Sequence, residues 1–463
     1  MAYAGDHGGR AMSGAAGRPR LGYAVAAVAL AGFLFGFDTA VISGITDALR
    51  RVCQLSPDDL GRTVSSALWG TLVGAVAGGV LGQRLGSRTG LRLTALFYVL
   101  SGIGCALAPG WEWLIGFRVM AGLAVGVSSV LAPVYLAEIA PAARRGRLVG
   151  VFQLNIVLGI LFAYVSNAGV GALVADPDLQ WRWKLGATAV PALVFLATMF
   201  VVPESPRWLR ARGRDAEAGL AATALYGHAD HEERSEVLAA DSARITPARL
   251  WREAKRPILL AVSLAAVNQM TGINAILYYL NDIFAAAGFG RLSADLQSIA
   301  IGLTNLVFTF LGMAVIDRLG RRPLLIGGAL AMAAMMGVAA LVMMGHLPKS
   351  LLLGVLVLFI ASFATTQGAV IWVYLSEIFP TRFRSAGQGI GAGAIWLFDA
   401  LVAQIFPVLS ARSASLPFLI FMGAMLVQFV LVLVAFPETK GVRLEDMEAH
   451  IGGGGRIKSK ARA

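Results

Sequence analysis

The sequence predicts an all-α membrane protein, with twelve transmembrane helices in two pseudo-symmetric six-helix bundles and both termini in the cytoplasm. Three observations predict it. Of 463 residues, 57% are hydrophobic and only 14% charged, against about 25% charged in soluble domains. Apolar stretches near the ~20 residues that cross a bilayer recur twelve times along the chain. Short motifs in the first half reappear in the second, in one order and at nearly one separation.

Residues 1–20 are rich in Gly, Ala and Arg and lack an apolar core. They read as a disordered cytoplasmic tail, not a signal peptide. Spans 1–6 centre near Phe33, Val73, Val99, Val125, Ile156 and Phe195, within a bundle over residues 21–202. Residues 203–255 are charged and rich in Ala, Arg and Glu, which predicts a cytoplasmic linker of short amphipathic helices. Spans 7–12 centre near Asn274, Val307, Met335, Val370, Ala394 and Val430, within a bundle over 256–436, followed by a cytoplasmic tail over 437–463.

Charge sets the orientation. The net charge is +12, which in a soluble protein would suggest nucleic acid. Here the excess belongs to loops: Arg84, Arg88 and Arg92 follow span 2, Arg144, Arg145 and Arg147 follow span 4, and Arg318, Arg321 and Arg322 follow span 8. Arg382 and Arg384 follow span 10, whereas the alternate loops carry Asp58, Asp59, Asp176 and Asp178. The positive-inside rule then places the basic loops in the cytoplasm. The chain is expected to be a multi-pass protein of the cell inner membrane whose partners are the lipid bilayer and a small molecule, with no nucleic acid. Cys53 and Cys105 form no disulfide framework.

The repeat is carried by three motifs. Gln83-Arg84-Leu85-Gly86-Ser87-Arg88 returns as Asp317-Arg318-Leu319-Gly320-Arg321-Arg322. Tyr135-Leu136-Ala137-Glu138-Ile139 returns as Tyr374-Leu375-Ser376-Glu377-Ile378, with Arg145 matched by Arg384. Pro203-Glu204-Ser205 returns as Pro437-Glu438-Thr439. A duplicated six-helix unit places its substrate between the halves and alternates access by rocking. Glu138, Glu377 and Asp317 sit where they can pair with Arg84, Arg145, Arg318, Arg322 and Arg384, which makes these residues a candidate cytoplasmic gate.

Rival classes fare worse. Gly387-Gln388-Gly389-Ile390-Gly391-Ala392 imitates a dinucleotide fingerprint but lies in an apolar span with no strand before it, so small-residue helix packing explains it better. No phosphate-loop motif and no Cys/His metal cluster occur. An enzyme is therefore not expected, nor any cofactor or metal. A channel has no need of a duplicated unit with a gate motif in each copy.

The motifs together resemble the sugar porters of the major facilitator superfamily. The residues carrying the resemblance are Gly32 to Gly44 in span 1, Pro133-x-Tyr135-x-x-Glu138 to Arg145-Gly146, and Pro203-Glu204-Ser205-Pro206-Arg207-Trp208-Leu209. Further along are Gln269-x-x-Gly272-Ile273-Asn274-x-x-x-Tyr278-Tyr279, the second gate motif, and Pro437-Glu438-Thr439-Lys440-Gly441. The resemblance implies the major facilitator fold and import of a monosaccharide, hexose or pentose, by alternating access. The alternatives are a facilitative uniporter and a cyclitol transporter. A monomer is expected.

Three ionisable residues lie deep in spans: Asp38, Arg118 and Asp399. Intramembrane charge marks a pathway by default. A carboxylate beside a guanidinium stays ionised, and one withdrawn from it in an apolar place takes up a proton. Moving Arg118 relative to Asp38 could therefore cycle a proton, and in similar proton symporters a span-1 Asp does so with a span-4 Arg. A static ion pair is the structural alternative. Asp399 could line the cavity, pair with Arg118, or face a crevice near Gln404.

Sugar hydroxyls both donate and accept, so amides and aromatic faces suit them. The spans supply Gln153, Asn155, Asn268, Gln269, Asn274, Asn305, Trp372 and Trp396. The resemblance implies that Gln153, Gln269, Asn274, Asn305 and Trp372 occupy sugar-binding positions, that Phe35 lines the site, and that Tyr278 and Tyr279 form the outer gate. Gly272 would break span 7 among them. The chain departs from the family pattern at Asn268, where a first glutamine is usual, at Ile160 and Ile395, where some members have polar contacts, at Ala369, where a proline is common, and at Gln83 and Ser87, which weaken the first gate motif.

Overall fold

The computed structural model describes residues 21–141, 145–227, 247–379 and 383–440. Every regular element among them is a helix. Among the described residues eleven helices are long and apolar enough to cross a bilayer. Spans 1–5 are Leu21–Gly44, Pro57–Leu85, Ser87–Leu107, Trp111–Ile139 and Gly150–Leu173. Spans 7–12 are Leu250–Tyr278, Ser293–Ile316, Arg321–Met343, Leu351–Leu375, Ala386–Arg412 and Leu416–Ala435.

Span 6 differs from expectation. Around Phe195 the chain forms two shorter helices, Gln180–Gly186 and Ala189–Met199. Pro191 is the physical reason, because it lacks the amide that would bond back to the carbonyl of Ala187. That carbonyl takes the amide of Val190 instead, in a tighter turn. The linker opens with two short helices, Pro206–Ala211 and Asp215–Tyr226. The two expected tails, 1–20 and most of 437–463, fall outside the described residues, as do 228–246 of the linker.

Within the first half, span 1 packs along span 5 and span 2 along span 4. Close backbone contact makes this possible. A Cβ on Gly36 would collide with the carbonyl of Ile156, and one on Gly122 with that of Ala67. In the second half span 9 packs on span 12 and span 8 on span 10. Across the halves, span 2 lies along span 11, span 5 along span 8, and span 1 against the short helix Ile273–Tyr278.

The named contacts across the halves cluster toward the end bearing the acidic loops. Gly61 meets the backbone of Gln404. Gln404 Oε1 accepts from Trp69 Nε1 at 3.2 Å and from Ser65 Oγ at 3.3 Å. The Tyr164 hydroxyl donates to the Leu277 carbonyl at 3.1 Å.

At the opposite, basic end the third repeated motif has one structural job in both copies. Glu204 Oε1 accepts the backbone amide of Arg88 at 3.0 Å, at the start of span 3. Glu438 accepts the amides of Arg321 and Arg322, each at 3.0 Å, at the start of span 9. A carboxylate is favoured there because the first amides of a helix have no intrahelical acceptor and carry partial positive charge. The Tyr135 hydroxyl donates to the Pro203 carbonyl at 2.6 Å, and that of Tyr374 to Pro437 at 3.1 Å.

Candidate transport site

Asp38 and Arg118 meet. Nη1 of Arg118 donates to Oδ1 of Asp38 at 2.6 Å, with the two side chains 4% and 9% exposed in that order. They pair because span 1 and span 4 pack together within the first half. A small cavity beside the pair is lined by Phe35 and Thr39 from span 1, Thr71 from span 2, and Tyr278 and Trp396 from the second half. The pair therefore faces the boundary between the halves.

Span 7 breaks where glycine allows it. Gly272 has φ +79°, in the left-handed region that favours glycine, and a Cβ there would collide with the Phe421 ring. The helix ends at Gln269 and restarts at Ile273. Asn274 and Tyr278 then stand four residues apart, on one face of the short helix.

That break assembles the polar groups. Asn274 Nδ2 donates to Gln269 Oε1 at 3.1 Å and to Asp399 Oδ2 at 2.9 Å. The Tyr278 hydroxyl donates to the same Oδ2 at 3.0 Å. Of the three sequence alternatives for Asp399, the structure thus joins it to the amide cluster; neither Arg118 nor Gln404 is its partner. Asn268 Nδ2 reaches Gln367 Oε1 at 3.4 Å. The Trp396 ring lies 5.3 Å from that of Phe35, centroid to centroid, across the halves. Asn305 is buried, Gln153 is half-buried and Trp372 is 43% exposed. Asn155 is not part of this group, because its amide turns back to the Val151 carbonyl.

Tyr279 sits apart from Tyr278. Its hydroxyl donates to the Ala403 carbonyl at 2.9 Å and its ring stacks on Phe406 at 4.9 Å. Beyond it, toward the acidic end, lies a cavity of about 690 Å³ lined by residues of both halves, among them Arg50, Lys184, Tyr279 and Asp282. Arg50 and Asp282 approach to 3.6 Å between the halves. Burial pushes the Asp282 carboxyl above its ordinary range; Arg50 and the Thr46 hydroxyl oppose this, and Asp47 adds to it.

The residues expected to form a cytoplasmic gate are partnered unevenly. Glu377 is paired, but with Arg321, at 2.8 and 3.1 Å through Nη2 and Nε. It also accepts the Thr439 hydroxyl at 2.6 Å. Arg322 turns instead to the Leu433 carbonyl at 2.7 Å, and Arg84 and Arg318 are exposed. These three arginines were expected to face carboxylates. Among the described residues none of the three has a carboxylate partner; at the start of span 9 it is the neighbouring Arg321 that points inward to Glu377. In the first copy Ser87 stands where Arg321 stands in the second, and Glu138 Oε2 is buried without a hydrogen-bond partner. The side chains of Arg145, Asp317 and Arg384 lie outside the described residues.

Sequence reasoning did not pick out Gln367, named Gln404 only as the neighbour of a crevice, and left Arg321 out of the candidate gate. Arg321 was visible as part of the repeat. Gln367 was visible as an amide in an apolar span, and nothing local said that it faces Asn268, or that Gln404 faces Ser65 and Trp69 of the first half.

The sequence model of the family described as "Sugar (and other) transporter" matches residues 24–450. The galactose-proton symporter of Escherichia coli (strain K12) is 34% identical over 441 residues, covering 93% of this chain and 94% of that protein. The D-xylose-proton symporter of the same strain is 34% identical over 461 residues, covering 91% and 93%. The partially occluded inward open structure of the xylose transporter XylE from E. coli superposes with a TM-score of 0.80 at 30% identity, over 91% of this chain and 99% of that one.

Proposed function

Since this chain belongs to the sugar porter family of the major facilitator superfamily, we propose that it imports a monosaccharide, hexose or pentose, together with a proton by alternating access. The observation that carries the coupling is the buried Asp38–Arg118 pair, which faces a cavity at the boundary between the halves. An ionised carboxylate held by a guanidinium has released its proton. Rocking that draws Arg118 away leaves Asp38 to take one up. The sugar would occupy the amide cluster of Gln269, Asn274 and Asp399, with Gln153, Asn268, Asn305 and Trp372 beside it and Phe35 and Trp396 as the apolar wall. Tyr278 and Tyr279 would close the outer side, and Arg321–Glu377 the cytoplasmic side.

The same reading takes the chain as twelve spans, with the divided segment around Phe195 as the sixth and both termini cytoplasmic. It places residues 21–202 and 256–436 in the two bundles, with 203–255 between them, and takes the working unit as a monomer. The energetics suffice. One charge moved across about 150 mV yields about 3.5 kcal/mol, enough for a few hundredfold accumulation.

The test is uptake of labelled pentoses, hexoses and inositol into liposomes carrying the purified chain, with and without an acid-outside gradient. Uphill uptake that a protonophore collapses supports the symporter and identifies its substrate. Saturable uptake that only equilibrates, with or without the gradient, makes the chain a uniporter and Asp38–Arg118 a structural pair. Uphill uptake of inositol alone makes the substrate a cyclitol.

A further inference from the structure

Asp399 is a buried carboxyl group bonded to neutral partners. The residue is 1% exposed. Asn274 and Tyr278 both donate to Oδ2, at 2.9 and 3.0 Å, while Oδ1 is buried and has no hydrogen-bond partner among the described residues. The elements packed against span 11 bring no cation to it. Spans 2, 10 and 12 carry charged side chains only toward their ends or not at all. Span 7 brings Tyr278, and Tyr279 turns away to the Ala403 carbonyl. The nearest ion pair across the boundary is Asp38–Arg118, which is complete in itself. Tyr278, Asp38 and Arg118 line one small cavity of about 20 Å³, with room for about one water molecule.

We propose that Asp399 is a second proton-binding site, separate from Asp38, and that it holds its proton as a neutral acid while the halves are joined at the acidic end. This goes beyond the coupling role given to Asp38 and does not depend on which substrate is carried. An ionised carboxylate buried without a cation is so costly that the group neutralises instead. The bonding fits the neutral acid. Its carbonyl oxygen has acceptor capacity for two donors, and Oδ2 receives two. The other oxygen carries the proton, and Oδ1 is the one that receives no donor. An ionised group would leave Oδ1 as a charged acceptor without a donor, which costs more than an unpaired neutral one. Asp38 has the opposite setting, because the Arg118 guanidinium holds it as the anion. Two carboxyl groups thus lie on either side of the boundary, one charged and one neutral, and Tyr278 adjoins both. The proton comes from water when the boundary opens, forms an O–H bond at Oδ1, and stays when the boundary closes.

The experiment is infrared spectroscopy of the full chain in proteoliposomes at neutral pH, with and without carbon-13 at the aspartate side-chain carboxyl. A protonated carboxyl absorbs as a carbonyl, apart from the ionised form, and the label separates aspartate from glutamate. Wild type is expected to show an aspartate acid band that is lost in Asp399→Asn and kept in Asp38→Asn. A band that Asp282→Asn removes belongs to that residue, and the Asp399 band should survive this change too. Tyr278→Phe should keep the Asp399 band and shift it to higher frequency, because the carbonyl oxygen loses one of its two donors. A purely structural role for Asp399 as an anion would give no such band to move. A wild-type chain with no aspartate acid band overturns the proposal, and that result needs no variant to fold. Acid bands that neither disappear in Asp399→Asn nor move in Tyr278→Phe overturn it as well. Uptake plays no part in these spectra, so a failure of the sugar reading is seen separately, in the liposome assay.

Discussion

Arg118 and Asp38 form a hydrogen-bonded ion pair of 2.6 Å between span 4 and span 1, with both side chains less than a tenth exposed. Removing one member of a buried pair leaves the other uncompensated. Neutralising the carboxyl while keeping its shape separates the proton's role from the packing role. Asp38→Asn is expected to abolish uphill uptake in proteoliposomes and to keep counterflow exchange within several-fold of wild type. Accumulation that persists against a gradient would remove Asp38 from coupling.

Gln269 makes a different kind of contribution. Its Oε1 is the acceptor for Asn274, so it both faces the proposed substrate and orients a second amide. Loss of a neutral hydrogen bond of this kind is typically worth about 1 kcal/mol, or roughly five- to tenfold in affinity. Gln269→Ala is expected to weaken sugar binding by at least that factor, measured by calorimetry with D-galactose or D-xylose. Unchanged affinity would exclude Gln269 from the site.

The two copies of the gate motif should respond unequally to the same change. Glu377 receives two bonds from Arg321 and one from Thr439, with the Glu377 side chain only 20% exposed. Bonds to charged groups contribute about 1.5–3 kcal/mol, so Glu377→Gln should lower thermal stability clearly. Glu138 has no arginine in the position of Arg321, and its Oε2 is unpaired. The Ser205 hydroxyl and the charge of Arg207 favour its ionised form, but no arginine holds it at two points, so Glu138→Gln should lose clearly less. Thermal unfolding of both variants in one detergent decides it: equal losses would mean that the asymmetry has no energetic content.

Much of this was legible because bilayers punish polarity. A charge in the middle of an apolar run stands out, and so Asp38, Arg118 and Asp399 could be found one by one. The break at Gly272 was legible for a similar reason, since the glycine interrupts a run of amides within span 7. The division around Phe195 was harder: Pro191 was visible, but hydropathy averages over a turn and does not register a single missing amide. Partner choice was least legible. Arg318, Arg321 and Arg322 are equivalent by composition and by the charge rule, and only the geometry of the turn at Gly320, with φ +90°, aims Arg321 at Glu377. In the same way nothing in the order of residues says that Tyr278 reaches Asp399, because that bond joins two helices of the second half through the restart at Ile273.

The contact between Arg50 and Asp282 gives a pH dependence whose sign can be worked out. Asp282 lies beyond the end of span 7, and Arg50 lies on the short helix Thr46–Val52 that follows span 1, so their 3.6 Å approach joins the two halves. Burial raises the pKa of Asp282 and is the largest cause; Arg50 and Thr46 pull it back, and Asp47 pushes it further up. A carboxyl whose folded pKa exceeds its unfolded value adds no penalty below the unfolded pKa. It costs stability progressively as pH rises through the interval up to the folded pKa, and the full cost persists above that. Wild type should therefore lose thermal stability as pH rises through the range just above ordinary carboxylate values. Asp282→Asn should lose this part of the slope. Ionisation also strengthens the attraction to Arg50, so the same pH rise should tighten this contact between the halves. Labelling of a cysteine introduced at Ala48, which lines the adjacent cavity, should then slow as pH increases in wild type, after correction for thiol ionisation in an unfolded control, and should show no such slope in Asp282→Asn. Parallel stability and labelling profiles for the two proteins would show that Asp282 does not titrate between the halves.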